Sequence, residues 1–210
     1  MSPTKNRPAL GVIILGAGAS SRMGRPKLLL PWGKTSIVGH LIEQWRRLGA
    51  AQIVIVCRPD DQELAAELDR LNLPLRDRIK TPYPEHGMFS SILCAARWSG
   101  WRKAISSWAV VLGDQPHLQA ETLRVLLEQV AQNPGAICQP AFRGQARHPV
   151  ILPRDVFVEL QRSGAETLKD FLKPLAGRSV QCPVADAGLL LDLDRWEDYE
   201  KAVKSHTGDL

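Results

Sequence analysis

Short apolar runs alternate with amphipathic segments along almost the whole chain, and that alternation restricts the fold more than any other feature. Val12–Leu15, Ile53–Cys57 and Trp108–Leu112 are continuous apolar stretches of strand length. Ile37–Leu48 repeats Leu41, Ile42, Trp45 and Leu48 at helical spacing and stops at Gly49. Gln62–Leu71 does the same with Leu64, Leu68 and Leu71. Gly87–Trp98 predicts a helix after Pro82-Tyr83-Pro84, and Ala120–Gln132 another, closed by Asn133-Pro134-Gly135. Arg78–Thr81, Ala136–Gln139, Val150–Leu152 and Ser179–Pro183 read as further strands, the middle two flanking a turn at Arg143-Gly144. A helix near Glu166–Leu172, a short run Leu189–Leu191 and a closing helix from Arg195 complete the order. Strands that are apolar at every position are buried on both faces, so the pattern implies an α/β fold of three layers, α/β/α, with a mostly parallel central sheet and helices on each side.

At 210 residues the chain suits one large domain, read here as 10–205 behind a loose arm over 1–9, with a loose tail after Lys204. A net charge of +5 favours anionic ligands, but the basic residues are dispersed and form no nucleic-acid-binding tract. Cys57, Cys94, Cys138 and Cys182 lack Cys-x-x-Cys spacing, which argues against a zinc or redox site and suits a reducing cytoplasm. No apolar stretch approaches the roughly 18 residues of a membrane span, so no membrane partner is expected. The oligomeric state is left open.

In parallel sheets ligands bind beyond the carboxyl ends of the strands, and the chain's polar motifs lie there. The first strand runs into Leu15-Gly16-Ala17-Gly18-Ala19-Ser20-Ser21-Arg22-Met23-Gly24-Arg25-Pro26-Lys27. Small residues let successive backbone N–H groups close on an anion, and Arg22 and Lys27 add two full positive charges. The loop therefore reads as a polyphosphate cradle, with Leu15, Gly16, Ala17, Gly18, Ser20, Arg22 and Lys27 as candidate nucleotide-binding residues. Two better-known phosphate motifs do not fit. Gly16-x-Gly18-x-x-Ser21 lacks the third glycine of a dinucleotide fingerprint, Pro26 interrupts the helix that should follow, and no acidic residue stands near Val56. Gly33-Lys34-Thr35 imitates the end of a Walker A loop, but Leu28 occupies the position of its required first glycine.

Asp114 follows Val110-Val111-Leu112-Gly113, at a strand exit beside that loop. A carboxylate there suits Mg²⁺, which takes one or two carboxylates together with phosphate oxygens. An aspartate opening the next turn is the ordinary alternative. Asp192 in Leu191-Asp192-Leu193-Asp194 is the preferred second metal carboxylate, because Asp194-x-x-Glu197 matches a helix capping box. Gly87-Met88-Phe89-Ser90-Ser91 opens a helix whose N–H groups and serine hydroxyls suit a nucleotide, with Gly87 and Ser91 on the nucleotide and Ser90 on substrate. Helix capping by either serine accounts for them equally. His148, just before an apolar strand, is a substrate contact or a satisfied structural histidine.

Taken in order, these blocks resemble the MobA-like nucleotidyltransferases, nearest to the molybdenum cofactor cytidylyltransferase branch. The likeness rests on Leu15-Gly16-Ala17-Gly18 with Ser21-Arg22-Met23-Gly24-x-Pro26-Lys27, on Gly87-Met88-x-x-Ser91 and on Leu112-Gly113-Asp114-Gln115-Pro116. His148-Pro149-Val150 and Leu191-Asp192-Leu193-Asp194 with Glu197-Asp198-Tyr199 complete it. The resemblance implies a Rossmann-like fold and Mg²⁺-dependent transfer of a nucleoside monophosphate from an NTP, with release of pyrophosphate. It also implies that Arg22 and Lys27 hold the triphosphate and that Asp114 binds the metal. Alanine at position 17, near the base, is shared with the cytidylyltransferases, which makes CTP the first expectation. The acceptor implied is a phosphorylated small molecule such as molybdopterin. The alternatives are a sugar phosphate, another phosphorylated metabolite, or nucleotide binding without turnover. Three positions depart from the branch: Gly16 for alanine, Arg147 for glycine, and Glu166 for an arginine expected near the acceptor.

Overall fold

In the computed structural model residues 8–18 and 23–207 are described, the side chains of 206 and 207 excepted. Strand β1 (Leu10–Leu15) is followed by a 3-10 turn over Lys27–Leu29 and by a small hairpin, β2 (Pro31–Trp32) and β3 (Thr35–Ser36). Then come α1 (Ile37–Arg47), β4 (Gln52–Cys57), α2 (Gln62–Arg70), β5 (Arg78–Lys80), α3 (Gly87–Arg97) and β6 (Ser107–Leu112). The second half runs α4 (Ala120–Gln132), β7 (Ile137–Phe142), β8 (Gln145–Ala146), β9 (Val150–Pro153), α5 (Arg154–Leu160), α6 (Leu168–Leu172), β10 (Ser179–Pro183) and α7 (Trp196–Thr207).

The main sheet has the order β10-β7-β9-β6-β1-β4-β5, with β8 paired to β7. Strands β5, β4, β1 and β6 run parallel; β9 runs antiparallel between β6 and β7. The fold is thus Rossmann-like, a mostly parallel sheet between helical layers. Alternation along each strand divides the core. Val12, Ile14, Ile53 and Ile55 face α1, α2, α4 and α7, whereas Ile13, Val54, Val56 and Val110 face α3, α5 and α6. Side-chain caps fix several helix starts: Ser36 accepts from the Gly39 N–H, Asp61 from Leu64, and Thr167 from Asp170.

Four features lie beyond the sequence reading or differ from it. The link between β7 and β9 is too short for a parallel crossover, so the pair is antiparallel. Helix α5 was not anticipated; it is short, starts directly from β9 and contains the β-branched Val156 and Val158. Gly33-Lys34 is the turn of the β2–β3 hairpin, with Gly33 at φ +59°, which explains its chance likeness to a phosphate motif. Helix α7 continues past Lys204, and its first turn is closed by Asp198, whose carboxylate accepts from the Arg195 N–H at 3.0 Å. Of the loose arm, residues 1–7 lie outside the described residues, while the Ala9 carbonyl accepts from the Ser106 N–H at 2.9 Å. Among the described residues no helix is long and apolar enough to cross a membrane.

Candidate active site

The site begins with two strands leaving the sheet side by side. Leu15 of β1 lies opposite Leu112 of β6, so Gly16 and Gly113 emerge at the same edge. The Gly16 N–H donates to the Val56 carbonyl at 2.8 Å, continuing the β1–β4 ladder into the loop. A methyl group on Gly16 would lie 2.9 Å from Leu28 Cδ1, and one on Gly113 would lie 2.6 Å from the Leu15 carbonyl and 2.9 Å from Leu28 Cδ2. Leu28 therefore packs against both strand exits. Here Gly16 has a physical reason for departing from alanine, since the larger residue requires Leu28 to move. Gly113→Ala should destabilise the fold by about 1–3 kcal/mol, because its close neighbour is backbone that cannot turn aside. A denaturation midpoint equal to wild type would contradict that packing.

Behind Pro26, the 3-10 turn carries Lys27 outward while Leu28 and Leu30 stay buried. Lys27 Nζ lies 2.8 Å from Asp194 Oδ1 and 3.8 Å from Asp114 Oδ2. The 191–194 segment is strapped to the β6 exit: the Leu193 N–H donates to the Asp114 carbonyl at 3.2 Å, and Gln115 Nε2 donates to Asp192 Oδ1 at 2.9 Å. A tight turn, Asp194 N–H to the Asp192 carbonyl at 2.8 Å, places the two aspartates in succession. Burial, and then the charge on Asp192, push the Asp114 carboxyl above its ordinary value, with Lys27 pulling the other way.

A cavity of about 230 Å³ opens between the loop, the β6 exit and the start of α3. Leu15, Gly16, Ala17, Gly18, Lys27, Gly87, Ser91 and Asp114 all line it. Ser20 and Arg22 lie outside the described residues. Because α3 starts at Gly87, itself at φ +80°, neither serine is its cap. Ser91 is buried against the cavity, whereas the Ser90 hydroxyl donates to the Gly87 and Tyr83 carbonyls and faces a separate hollow beside β5. Asp192 and His148 lie outside the cavity wall, although the Asp192 charge is felt at both Asp114 and His148. Pro84 and Leu28 are wall residues that the sequence reading missed, as an apolar lining leaves no motif, and Met88 joins them from within the Gly87-Met88 block. Asp194 was missed as a partner of Lys27 because its spacing suited a cap.

His148 sits with Nδ1 3.4 Å from the Val110 carbonyl, and burial holds its pKa below the ordinary value. The folded protein therefore prefers neutral imidazole. Stability should fall as the pH drops through the unfolded value near ~6.5, where only the unfolded chain gains the proton. Thermal unfolding between pH 7.5 and 5.5 should show that loss, and His148→Gln should flatten it.

Among the described residues no three His, Cys, Asp or Glu side chains converge into a ready-made metal cage. Asp114 and Asp192, close enough to raise one carboxyl, nevertheless offer the hard oxygens that Mg²⁺ combines with phosphate ligands.

Residues 12–180 match the family model described as the MobA-like NTP transferase domain. The chain belongs to that family. A molybdenum cofactor cytidylyltransferase of Escherichia coli is 26% identical over 203 residues, covering 95% of this chain and 98% of the relative. A probable molybdenum cofactor guanylyltransferase of Bacillus mycoides is 25% identical over 203 residues, covering 91% and 94%. Among solved structures, a homolog of Rv0371c from Mycobacterium sp. strain JC1 aligns at TM-score 0.74 and 24% identity, covering 97% of this chain and 100% of that one. Rv0371c of Mycobacterium tuberculosis in complex with manganese aligns at TM-score 0.65 and 22% identity, covering 94% and 99%. These structural likenesses fix the fold, and the family match makes this MobA-like chain a nucleotidyltransferase.

Proposed function

We propose that the protein transfers CMP from CTP to a phosphorylated acceptor of the molybdopterin type, releasing pyrophosphate, with Mg²⁺ held by Asp114 and Asp192. The observation that carries this reading is the convergence of the glycine loop, Lys27 and Asp114 on one cavity. Asp114 then has a reason to be an aspartate where burial disfavours its charge. The reading further takes residues 10–205 as one domain and the cytoplasm as its compartment, which suits four cysteines without disulfides.

The reaction joins an acceptor phosphate oxygen to the α-phosphorus and breaks the bond to pyrophosphate, so two anions must be brought together. The protein's own groups offset that repulsion. Backbone N–H groups of Ala17 and Gly18 and the charges of Lys27 and Arg22 take up the triphosphate, while Gly16 lets the chain approach it closely. Ser91 and Gly87 face the nucleoside, and Ala17 supports the preference for the smaller base. His148, neutral at the far side of Asp114, faces the acceptor. A bound Mg²⁺ supplies charge neutralisation on the departing pyrophosphate. Positioning and electrostatics suffice for phosphoryl-type transfer, and no nucleophilic side chain is required.

The test is pyrophosphate release from each NTP singly, with molybdopterin or sugar phosphates as acceptor, in Mg²⁺ or Mn²⁺. The reading requires CTP and molybdopterin to be the productive pair. Turnover with GTP or with a sugar phosphate keeps the class and changes the substrate, and NTP binding without turnover under any acceptor refutes the enzymatic reading.

A further inference from the structure

Lys27 is engaged with Asp114, which the reading above gives to the metal, and with Asp194 beside it. Its ammonium lies 2.8 Å from Asp194 and 3.8 Å from Asp114, with the side chain only 15% exposed. A unit positive charge is therefore seated against the ligand that a divalent ion must use. Two cations cannot share that position, since like charges about 4 Å apart repel by several kcal/mol at a surface-like dielectric. The Lys27 backbone is pinned by buried Leu28 and Leu30, so only the flexible stem of the side chain can swing. Lys27 also borders a second hollow of about 430 Å³, across the loop, lined by Gly16, Gly18 and Arg58. It stands between the carboxylates on one side and the anion-binding loop on the other.

We propose that Lys27 is an exchangeable counterion: Asp194 holds it against Asp114 while the nucleotide is absent, and a bound triphosphate draws it away and opens the carboxylates to the divalent ion. Asp194 is then a positioning residue that acts through Lys27, and nucleotide and metal load together. Metal alone meets a site where one cation is already seated against Asp114. Nucleotide alone must first break the Lys27–Asp194 pair.

This inference rests on the proposed NTP and metal site, and binding measurements separate the two. Free Mn²⁺ is counted by electron paramagnetic resonance without nucleotide, and CTP binding is measured by calorimetry in chelator. Lys27→Met should bind Mn²⁺ about tenfold tighter than wild type without nucleotide, because a competing cation has been removed. Asp194→Asn should bind CTP several-fold tighter in chelator, and that gain should vanish in the Lys27→Met background. Simple removal of a negative charge would leave the gain intact in the double variant. Circular dichroism confirms folding, and Lys27→Gln serves if the methionine variant does not fold. Mn²⁺ affinity unchanged or weakened in the folded Lys27 variant overturns the exchange, as does a gain that survives in the double variant. A wild-type protein that binds neither CTP nor Mn²⁺ in the presence of the other overturns the proposed CTP and metal site itself.

Discussion

Lys27→Ala is expected to lose about a hundredfold or more in kcat while remaining folded. The residue lines the cavity at the start of a backbone turn whose following residues Leu28 and Leu30 are buried, so truncation removes charge without removing an anchor. Removing one preorganised contact to developing charge typically costs about 3–4 kcal/mol of barrier, which is the stated loss in rate. The pair with Asp194 is partly exposed, and its loss should cost stability only about 1 kcal/mol. Pyrophosphate release in steady state, read beside a melting curve, separates the two effects. Wild-type turnover in this variant would remove Lys27 from the chemistry. Tighter Mn²⁺ binding combined with lost turnover would show that metal occupancy alone does not restore the function of the ammonium.

Asp114→Asn should act in opposite directions on activity and stability. A metal carboxylate supplies several kcal/mol of charge stabilisation through its ion, so turnover should fall about a thousandfold. The fold, however, pushes this carboxyl above its ordinary value through burial and the Asp192 charge. Folding shifts the balance toward the protonated form, so the cost of the ionised form is present above the raised value and is relieved as pH falls through it. Asparagine removes that cost at every pH. Its melting temperature should exceed wild type at pH 7 by about 2–4 °C, and the difference should shrink on acidification. A variant that melts lower at neutral pH, with activity retained, would place Asp114 outside the site.

Much of the architecture was legible because burial on both faces leaves a continuous apolar signature. The helices α4 and α1 and the strands β4 and β10 emerge within a residue of the sequence expectation. The antiparallel β9 was not legible, since a short apolar run carries no direction. That direction matters for His148. In a wholly parallel sheet, a residue preceding a strand sits at the end opposite the site, whereas the reversal of β9 brings His148 to the same edge as Gly16 and Asp114. The glycine loop and Asp114 were visible in the sequence because close anion approach and a strand-end carboxylate need particular residue types at particular places. Asp194 was obscured by a competing local explanation, which the structure transfers to Asp198 one step later. Ser90 and Ser91 could not be told apart in one dimension. Helical rotation turns one hydroxyl onto its own backbone and the other toward the cavity.

The Leu28 side chain touches the exits of both central strands, one at Gly16 and the other at Gly113. The gap between the glycine loop and the acidic rim is therefore gauged by hydrocarbon in contact with hydrocarbon and backbone. Added electrolyte screens the charges of the pocket and leaves such a spacer untouched. Ionic strength should consequently weaken the grip on substrate without altering the alignment of what is gripped, so that KM climbs with salt while kcat holds.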